Sequence, residues 1–72
     1  MEFFVFKTDI ESEDRVAVIR REVRKYPVIT TWSVDTEDCD NVLRVKASHD
    51  LQEGDVIRFI KELGFRCESL PD

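Results

Sequence analysis

The apolar residues of this chain recur with two different spacings, which alternate along the sequence. Four stretches have the β-branched, aromatic or alternating pattern that is typical of strands: residues 3–6, 28–35, 42–47 and 65–70. Two stretches have apolar residues three and four positions apart, which predicts helices, with stripes at Val16, Ile19, Val23 and Tyr26 and at Val56, Ile60 and Leu63. The pattern therefore predicts the element order β-α-β-β-α-β.

Polar residues and helix breakers mark the ends of both predicted helices. Ser12 is a good N-cap for the first helix, and Pro27 ends it. Asp50 and Glu53 have the spacing of a capping box at the start of the second helix, and Gly64 supplies its C-cap. Residues 36–41 between the second and third strands have turn chemistry, which predicts a hairpin with an acidic tip, called the hairpin tip below.

This order is that of the ferredoxin-like split βαβ arrangement, an α+β fold in which a four-stranded antiparallel sheet carries two helices. Right-handed crossovers would place both helices on one face of the sheet. The apolar residues expected between sheet and helices are Phe6, Trp32, Val34, Leu43, Val45 and Phe65 with Val16, Ile19, Val23, Val56, Ile60 and Leu63. The opposite face is expected to carry a mixed set that includes Phe3, Val5, Arg44 and Arg66.

The length and composition limit the chain to one small domain. At about 1.5 kcal/mol of ordering entropy per residue, 72 residues support one modest core, so residues 1–72 are treated as a single unit. Two cysteines are too few for the disulfide framework of a small secreted protein. No apolar run approaches the ~20 residues that span a bilayer, and no basic leader opens the chain. A cytoplasmic location without membrane contact is therefore expected.

Several segments together resemble one known family. Residues 7–17, with the sequence KTDIESEDRVA, are similar to the first loop and helix start of heavy-metal-associated domains. These domains are the small copper chaperones and the N-terminal modules of metal-pumping ATPases. Residues 32–35 and 43–45 resemble the family's second and third strands, and residues 63–65 resemble its closing glycine–aromatic step. The resemblance covers nearly the whole chain and implies a ferredoxin-like fold with a copper site at the first loop.

The metal motif of that family is altered in this sequence. Ile10 matches the apolar residue before the family's Cys-x-x-Cys motif, but Ser12 and Arg15 stand where the two cysteines would be. Cu(I) needs soft, deprotonated thiolates, whereas a serine hydroxyl stays protonated and a guanidinium is a permanent cation. We therefore expect a degenerate site without metal or other cofactor. A salt bridge from Arg15 to the acidic first loop (residues 9–12) would indicate a site closed by replacement.

Three other residues could serve as fallback metal ligands. Cys39 falls at the hairpin tip, Cys67 in the last strand, and His49 in the connection before the second helix. In this fold the hairpin and the last strand lie toward opposite sides of the sheet, so the two sulfurs are expected about 10 Å or more apart. Cys67 is expected to be a small core residue, Cys39 an exposed thiol, and His49 a solvated loop residue.

The charged residues are distributed unevenly around the net charge of −5. Residues 1–14 sum to −4, residues 15–25 to +4, and residues 26–42 to −4. The basic side chains of the first helix are the candidate surface for a protein partner or for self-association: Arg20, Arg21, Arg24 and Lys25. The acidic balance, without exposed aromatics among the basic residues, is not typical of nucleic-acid binding.

The sequence leaves three functional hypotheses open. The first is a heavy-metal-associated-like domain that has lost its metal and acts through protein contacts. The second is a copper or other heavy-metal carrier that uses Cys39, Cys67 or His49, with thiols brought together across a dimer in one version. The third is a regulatory domain that senses a small molecule. An enzyme is not expected, because the sequence contains no phosphate-binding loop and no Ser/His/Asp or Cys/His set.

Overall fold

A computed structural model describes residues 2–48 and 50–70 and contains the six predicted elements. They are β1 (Glu2–Thr8), α1 (Glu13–Val23), β2 (Ile29–Asp35), β3 (Val42–Ala47), α2 (Glu53–Glu62) and β4 (Cys67–Ser69). The strands form one antiparallel sheet in the order β2-β3-β1-β4. The predicted ferredoxin-like fold is therefore confirmed. Within the described residues, neither helix has the length and apolar character needed to cross a membrane.

The core lies between the sheet and the two helices. Strand pairing places Phe6 opposite Leu43 and Trp32 opposite Val45, so alternate strand residues share the inner face. The most deeply buried large side chains are Phe6, Ile10, Ile19, Leu43, Val56 and Ile60. Burying each side chain of this size contributes about 1.5–3 kcal/mol. The predicted core is confirmed, and its half-buried members Val23, Trp32, Val34, Leu63 and Phe65 pack against the buried cluster.

The outer face of the sheet is mixed, as predicted. Phe3 is 61% exposed there, and Arg44 and Arg66 are exposed. On this face Phe3 lies opposite Lys46 and Val5 lies opposite Arg44. The cations Arg44 and Lys46 therefore interrupt the apolar side chains of this face.

The first helix begins at the predicted cap but ends before the last residue of its apolar stripe. Ser12 Oγ accepts a hydrogen bond from the backbone N–H of Arg15 at 3.3 Å. Tyr26, expected on the helix, lies beyond it and packs against Phe59 with the ring centroids 4.6 Å apart. A proline disfavours helical backbone at the residue before it, so Pro27 prevents the helix from including Tyr26.

The predicted start of α2 is wrong by two residues. The capping box was expected at Asp50 and Glu53, but Gln52 is the N-cap, and the Asp55 carboxylate accepts a hydrogen bond from its N–H at 3.1 Å. Leu51 is buried in the core. The helix begins only after Leu51 has entered the core, so the capping box lies two residues later in the sequence than predicted.

The last strand is shorter than predicted. It covers Cys67–Ser69 rather than residues 65–70. The backbone N–H of Arg66 donates to Asp9 Oδ1 at 2.8 Å, and Phe65 belongs to the turn that ends α2. Because these two residues are held by a side chain and a turn, pairing with β1 begins only at Cys67.

Gly64 ends α2 as predicted. Its φ is +95°, in the left-handed region. Its N–H donates to the carbonyl of Lys61 at 2.9 Å, and the N–H of Phe65 donates to the carbonyl of Ile60 at 3.3 Å. These are the two hydrogen bonds of a Schellman motif, which needs a residue without a β-carbon penalty at this position.

Replacing Gly64 with alanine is expected to lower the free energy of unfolding by about 1 kcal/mol, because alanine is strained in the left-handed region. Gly54→Ala is the matched control. Gly54 lies in the first turn of α2, and a β-carbon there would meet no atom within 4 Å. Better helix propensity should make this variant about 0.5 kcal/mol more stable. Urea unfolding followed by circular dichroism measures both changes, and changes of the same sign would contradict the assignment.

Candidate functional site

The first loop lies next to the hairpin tip, and Thr8 at the end of β1 joins the two. The backbone N–H of Thr8 donates to the carbonyl of Asp40 at 3.0 Å, and its hydroxyl donates to the carbonyl of Asn41 at 2.6 Å. The same hydroxyl accepts a hydrogen bond from the N–H of Ile10 at 3.2 Å. One buried side chain therefore holds the first loop in a fixed position relative to the hairpin tip.

Arg15 reaches from the first turn of α1 back over the first loop. Its Nη1 donates to the carbonyl of Asp9 at 2.5 Å and to Glu11 Oε1 at 3.2 Å, and it lies 3.9 Å from Asp9 Oδ2. The guanidinium carbon is 6.0 Å from the ring centroid of Phe65, at the limit of a cation–π contact. The expected salt bridge from Arg15 to the acidic loop is present, and it involves two carboxylates.

Asp9 connects this loop to the end of the chain. One carboxylate oxygen accepts the N–H of Arg66, 57 positions away in sequence, and the other faces Arg15. Sequence reasoning counted Asp9 only as one of several loop acids. Its position directly after β1 was the available signal, because a carboxylate there lies beside the antiparallel neighbour strand.

The first loop is an acidic turn whose negative charge is partly offset by its own chain. The Ser12 hydroxyl caps α1, and the Arg15 guanidinium pairs with Asp9 and Glu11. Neither group is a soft Lewis base, and the guanidinium places a fixed positive charge where the resemblance implies a thiolate. The guanidinium therefore offsets one of the two negative charges of this pair of acids.

Cys67 lies in the core, as predicted. It is 2% exposed and belongs to the buried apolar cluster. Burial raises the pKa of its thiol from 9.0 to about 12, with Glu53 and Glu68 acting in the same direction and Lys61 against them. The thiolate is the reactive and metal-binding form of cysteine, so burial suppresses both reactivity and ligation here.

Cys39 is exposed at the hairpin tip, also as predicted. Its Sγ and one oxygen each from Asp38 and Asp40 lie within 4.8 Å of one another, the one such grouping of three or more ligand atoms in residues 2–48 and 50–70. The two carboxylates already have partners. Asp38 Oδ1 accepts the N–H of Asp40 at 2.8 Å, and Asp40 Oδ1 lies 3.6 Å from Lys7 Nζ. This arrangement matches an ordinary hydrogen-bonded acidic turn.

The two cysteines lie in different parts of the domain. β1 separates β4, which carries Cys67, from β3 and the hairpin. β4 and β3 are two strand spacings apart, about 10 Å, but Cys39 lies in the hairpin tip rather than in β3, so a separation of about 10 Å or more between the two sulfurs stays a prediction. His49 lies outside the described residues, so a solvated loop histidine stays a prediction.

The basic surface of α1 is exposed. The four candidate interaction residues are exposed, but only Arg20 and Arg21 lie in the last turn of α1. Arg24 is its C-cap and Lys25 lies beyond it, because the helix ends at Val23. Lys25 Nζ lies 2.7 Å from Glu22 Oε2, and this hydrogen bond holds the pKa of Glu22 below its usual value. The three arginines make no ion pair within the part of the chain that the structure describes.

Comparison with known proteins supports the fold and extends no further. No family model matches the sequence, and no curated protein matches it. Among solved structures, a chain from the solution structure of the Atx1–Cu(I)–Ccc2a complex is similar, with a TM-score of 0.84 over 100% of this chain and 99% of that chain. The two sequences are 16% identical. The similarity thus supports the heavy-metal-associated-like fold implied by the sequence, and it shows the fold alone.

Arg15→Ala is expected to lower the free energy of unfolding by about 1 kcal/mol, because it removes the hydrogen bond to the Asp9 carbonyl and two exposed ion pairs. Arg21→Ala is the control, since Arg21 is an α1 arginine without an ion pair in residues 2–48 and 50–70. It should change stability by less than about 0.5 kcal/mol. Urea titration of both variants tests this contrast, and equal losses would argue against a closing role for Arg15.

Iodoacetamide at pH 8 is expected to modify Cys39 in the folded chain and to spare Cys67, because Cys67 is buried and its pKa is about 12. Mass spectrometry should find a single adduct in buffer and a second only in denaturant, with Cys39→Ser giving none in buffer.

The raised pKa of the Cys67 thiol also makes the stability of the fold depend on pH. Above pH 9.0 the unfolded thiol loses its proton while the folded thiol keeps it, so stability should fall as the pH rises toward 12. Rapid native labelling of Cys67 would contradict both expectations.

Proposed function

We propose that this chain is a non-enzymatic, cytoplasmic, heavy-metal-associated-like domain that holds no Cu(I) and acts through protein contacts. The observation that carries the proposal is the position of Arg15. Its guanidinium covers the first loop and pairs with Asp9 and Glu11, at the place where the resemblance implies the second metal-binding cysteine.

The physical argument is one of charge and softness. A two-coordinate Cu(I) site needs two thiolates that approach one ion, and the ion offsets part of their negative charge. In this chain the charge of the loop acids is partly offset instead by a guanidinium that cannot be deprotonated. Displacing Arg15 would leave Asp9 and Glu11 without their cation and would expose only a serine hydroxyl. A metal ion therefore has no favourable way into the loop.

Two further observations support protein contact as the remaining role. The fold is intact without the motif, and α1 presents Arg20, Arg21 and Arg24 without ion pairs in the described residues. The structurally similar chain comes from the Atx1–Cu(I)–Ccc2a complex. We infer that the scaffold keeps the capacity for protein contact. The free state of both cysteines fits the reducing compartment expected from the sequence.

The sensing alternative receives less support from the outer sheet face. Pairing through sheet faces requires a continuous apolar surface. Phe3 is exposed on that face, but Lys46 and Arg44 lie opposite Phe3 and Val5. The carrier alternative is limited by the burial of Cys67 and by the position of Cys39 across the sheet.

The test is a Cu(I) titration against a chromogenic competing chelator under anaerobic conditions. The unmodified chain is expected to leave the chelator complex intact. Ser12→Cys combined with Arg15→Cys should capture one Cu(I) per chain, because the pair restores two thiolates at the N-terminus of α1. Ser12→Cys alone is the matched control, and it should bind at least tenfold more weakly since it keeps the guanidinium and supplies one thiolate.

Stoichiometric, tight Cu(I) binding by the unmodified chain would overturn the proposal. Cys39→Ser then decides where the ion sits. Loss of binding in that variant would place the ligand at the hairpin tip and would favour the metal-carrier hypothesis. Native mass spectrometry of the apo and copper-treated chain provides an independent reading of the same question.

A further inference from the structure

The sheet has one long edge that is interrupted at one end only. β2 is an edge strand of seven residues, hydrogen-bonded to β3 on one side only. Natural edge strands are commonly shortened or carry lysine, proline or a bulge. The other edge, β4, has three residues, whereas β2 (ITTWSVD) contains no lysine, arginine or proline. Its one irregularity lies between Ile29 and Thr31, so residues 31–35 form a regular open edge.

A groove runs along this edge between α1 and β2, and it is called the edge groove below. Its volume is about 460 Å³, and it is lined by Glu13, Val16 and Arg20 of α1 and by Trp32, Ser33 and Val34 of β2. Grooves between a helix and an open strand edge are where proteins accept an additional strand, because main-chain hydrogen bonds provide affinity and the groove accepts side chains.

The edge groove carries one acidic and one basic side chain, so that the charges of two copies of the groove can complement each other. Glu13 and Arg20 are seven residues apart, so they lie on the same side of α1 about 10 Å from each other. Both are exposed, and neither has an ion pair in residues 2–48 and 50–70. When two such helices run antiparallel about a two-fold axis, Glu13 of each faces Arg20 of the other. The contact would then contain two equivalent ion pairs.

We propose that the occupant of the edge groove is a second copy of this chain. The two β2 strands pair antiparallel along residues 31–35, and the two sheets join into one of eight strands. The two α1 helices lie side by side above the joint, with Glu13 opposite Arg20 of the second copy. The interface is isologous, as in most homodimers. This inference rests on the interaction role proposed above and gives it a partner.

A second copy fits the edge groove better than a ligand of one charge. A purely acidic segment would be attracted by Arg20 and repelled by Glu13, and a basic segment would meet the opposite conflict. A segment that carries both charges in reverse order satisfies both positions, and α1 itself is such a segment. The apolar floor formed by Val16, Trp32 and Val34 would be covered in both copies at once.

The geometry also predicts a weak dimer. The five paired residues 31–35 span about 17 Å, and the domain is 18 Å deep along its shortest axis. The contact therefore covers roughly 300 Å² per copy, below the area of a stable specific interface and in the range of weak, transient contacts. The net charge of −5 on each copy opposes association. We expect monomers at low micromolar concentration and dimers as the concentration approaches millimolar.

Sedimentation velocity of the full chain across that concentration range is the first test. The weight-average mass should rise from 8.5 kDa toward twice that value. Hydrogen exchange measured at both ends of the range should detect concentration-dependent protection at alternate amides of residues 31–35, since only every second residue directs its N–H away from β3. A chain that remains monomeric at millimolar concentration overturns the inference, and so does a dimer whose protected amides lie outside β2.

Charge reversal provides the second test. Arg20→Glu should weaken dimerisation about tenfold, because two ion pairs become two repulsions. Arg21→Glu is the matched control, with the same change of net charge on a residue outside the edge groove. Glu13→Lys combined with Arg20→Glu should restore dimerisation to within about threefold of the original, since the pairs are re-formed with opposite polarity. Equal weakening by Arg20→Glu and Arg21→Glu, or no rescue in the double variant, overturns the inference.

The outcomes separate this inference from the proposed function. Circular dichroism of each variant checks that the fold is retained before its dimerisation is scored. A monomeric chain that also leaves Cu(I) with the chelator removes the second copy as partner and keeps the metal-free interaction role. Tight Cu(I) binding removes the metal-free role whatever the oligomeric state.

Discussion

The hydroxyl of Thr8 is the contact on which the position of the first loop depends. Thr8 is the one buried polar residue among those described, and a buried hydroxyl without partners would cost about 1–3 kcal/mol. It donates to the carbonyl of Asn41 and accepts from the N–H of Ile10, so it links the hairpin tip to the first loop. Ile10 can then enter the core while the polar loop stays at the surface. The positions of Asp9 and Arg15 follow from that geometry.

The sequence predicted the fold because its signals are local and agree with one another. The strand alternation, the Ser12 cap and the Gly64 turn each depend on neighbours within a few residues. The errors occur where a distant contact decides. Burial of Leu51 moves the start of α2 from Asp50 to Gln52, and an interaction over 57 positions between Asp9 and Arg66 shortens β4. The candidate site shows the same difference between features set by local sequence and features set by distant contacts. Ser12 and Arg15 were identified from their spacing, whereas the second role of Asp9 was visible only once β4 lay beside β1.

Arg15 supplies the first loop with a positive charge that is part of the chain, whereas a metal site obtains its positive charge from a bound ion. The ligands of a metal site lose protons when the ion binds, and the ion offsets the negative charge that results. A guanidinium that is part of the chain offsets nearby negative charge permanently and adds directed hydrogen bonds. The first loop of this protein has two carboxylates, Asp9 and Glu11, and the guanidinium of Arg15 offsets one of their two negative charges.

The first loop and the edge groove lie on different sides of helix α1. Successive helical residues turn by about 100°, so Glu13 and Arg15 point to sides of α1 about 160° apart, and Arg20 returns to the side of Glu13. Arg15 therefore faces the first loop and Phe65, while Glu13 and Arg20 line the edge groove with β2. The two sets share a backbone but no hydrogen bond or ion pair in the described residues, so a change in the charge of one set leaves the polar contacts of the other in place. The closed first loop is therefore compatible with the pairing proposed along the open edge of β2.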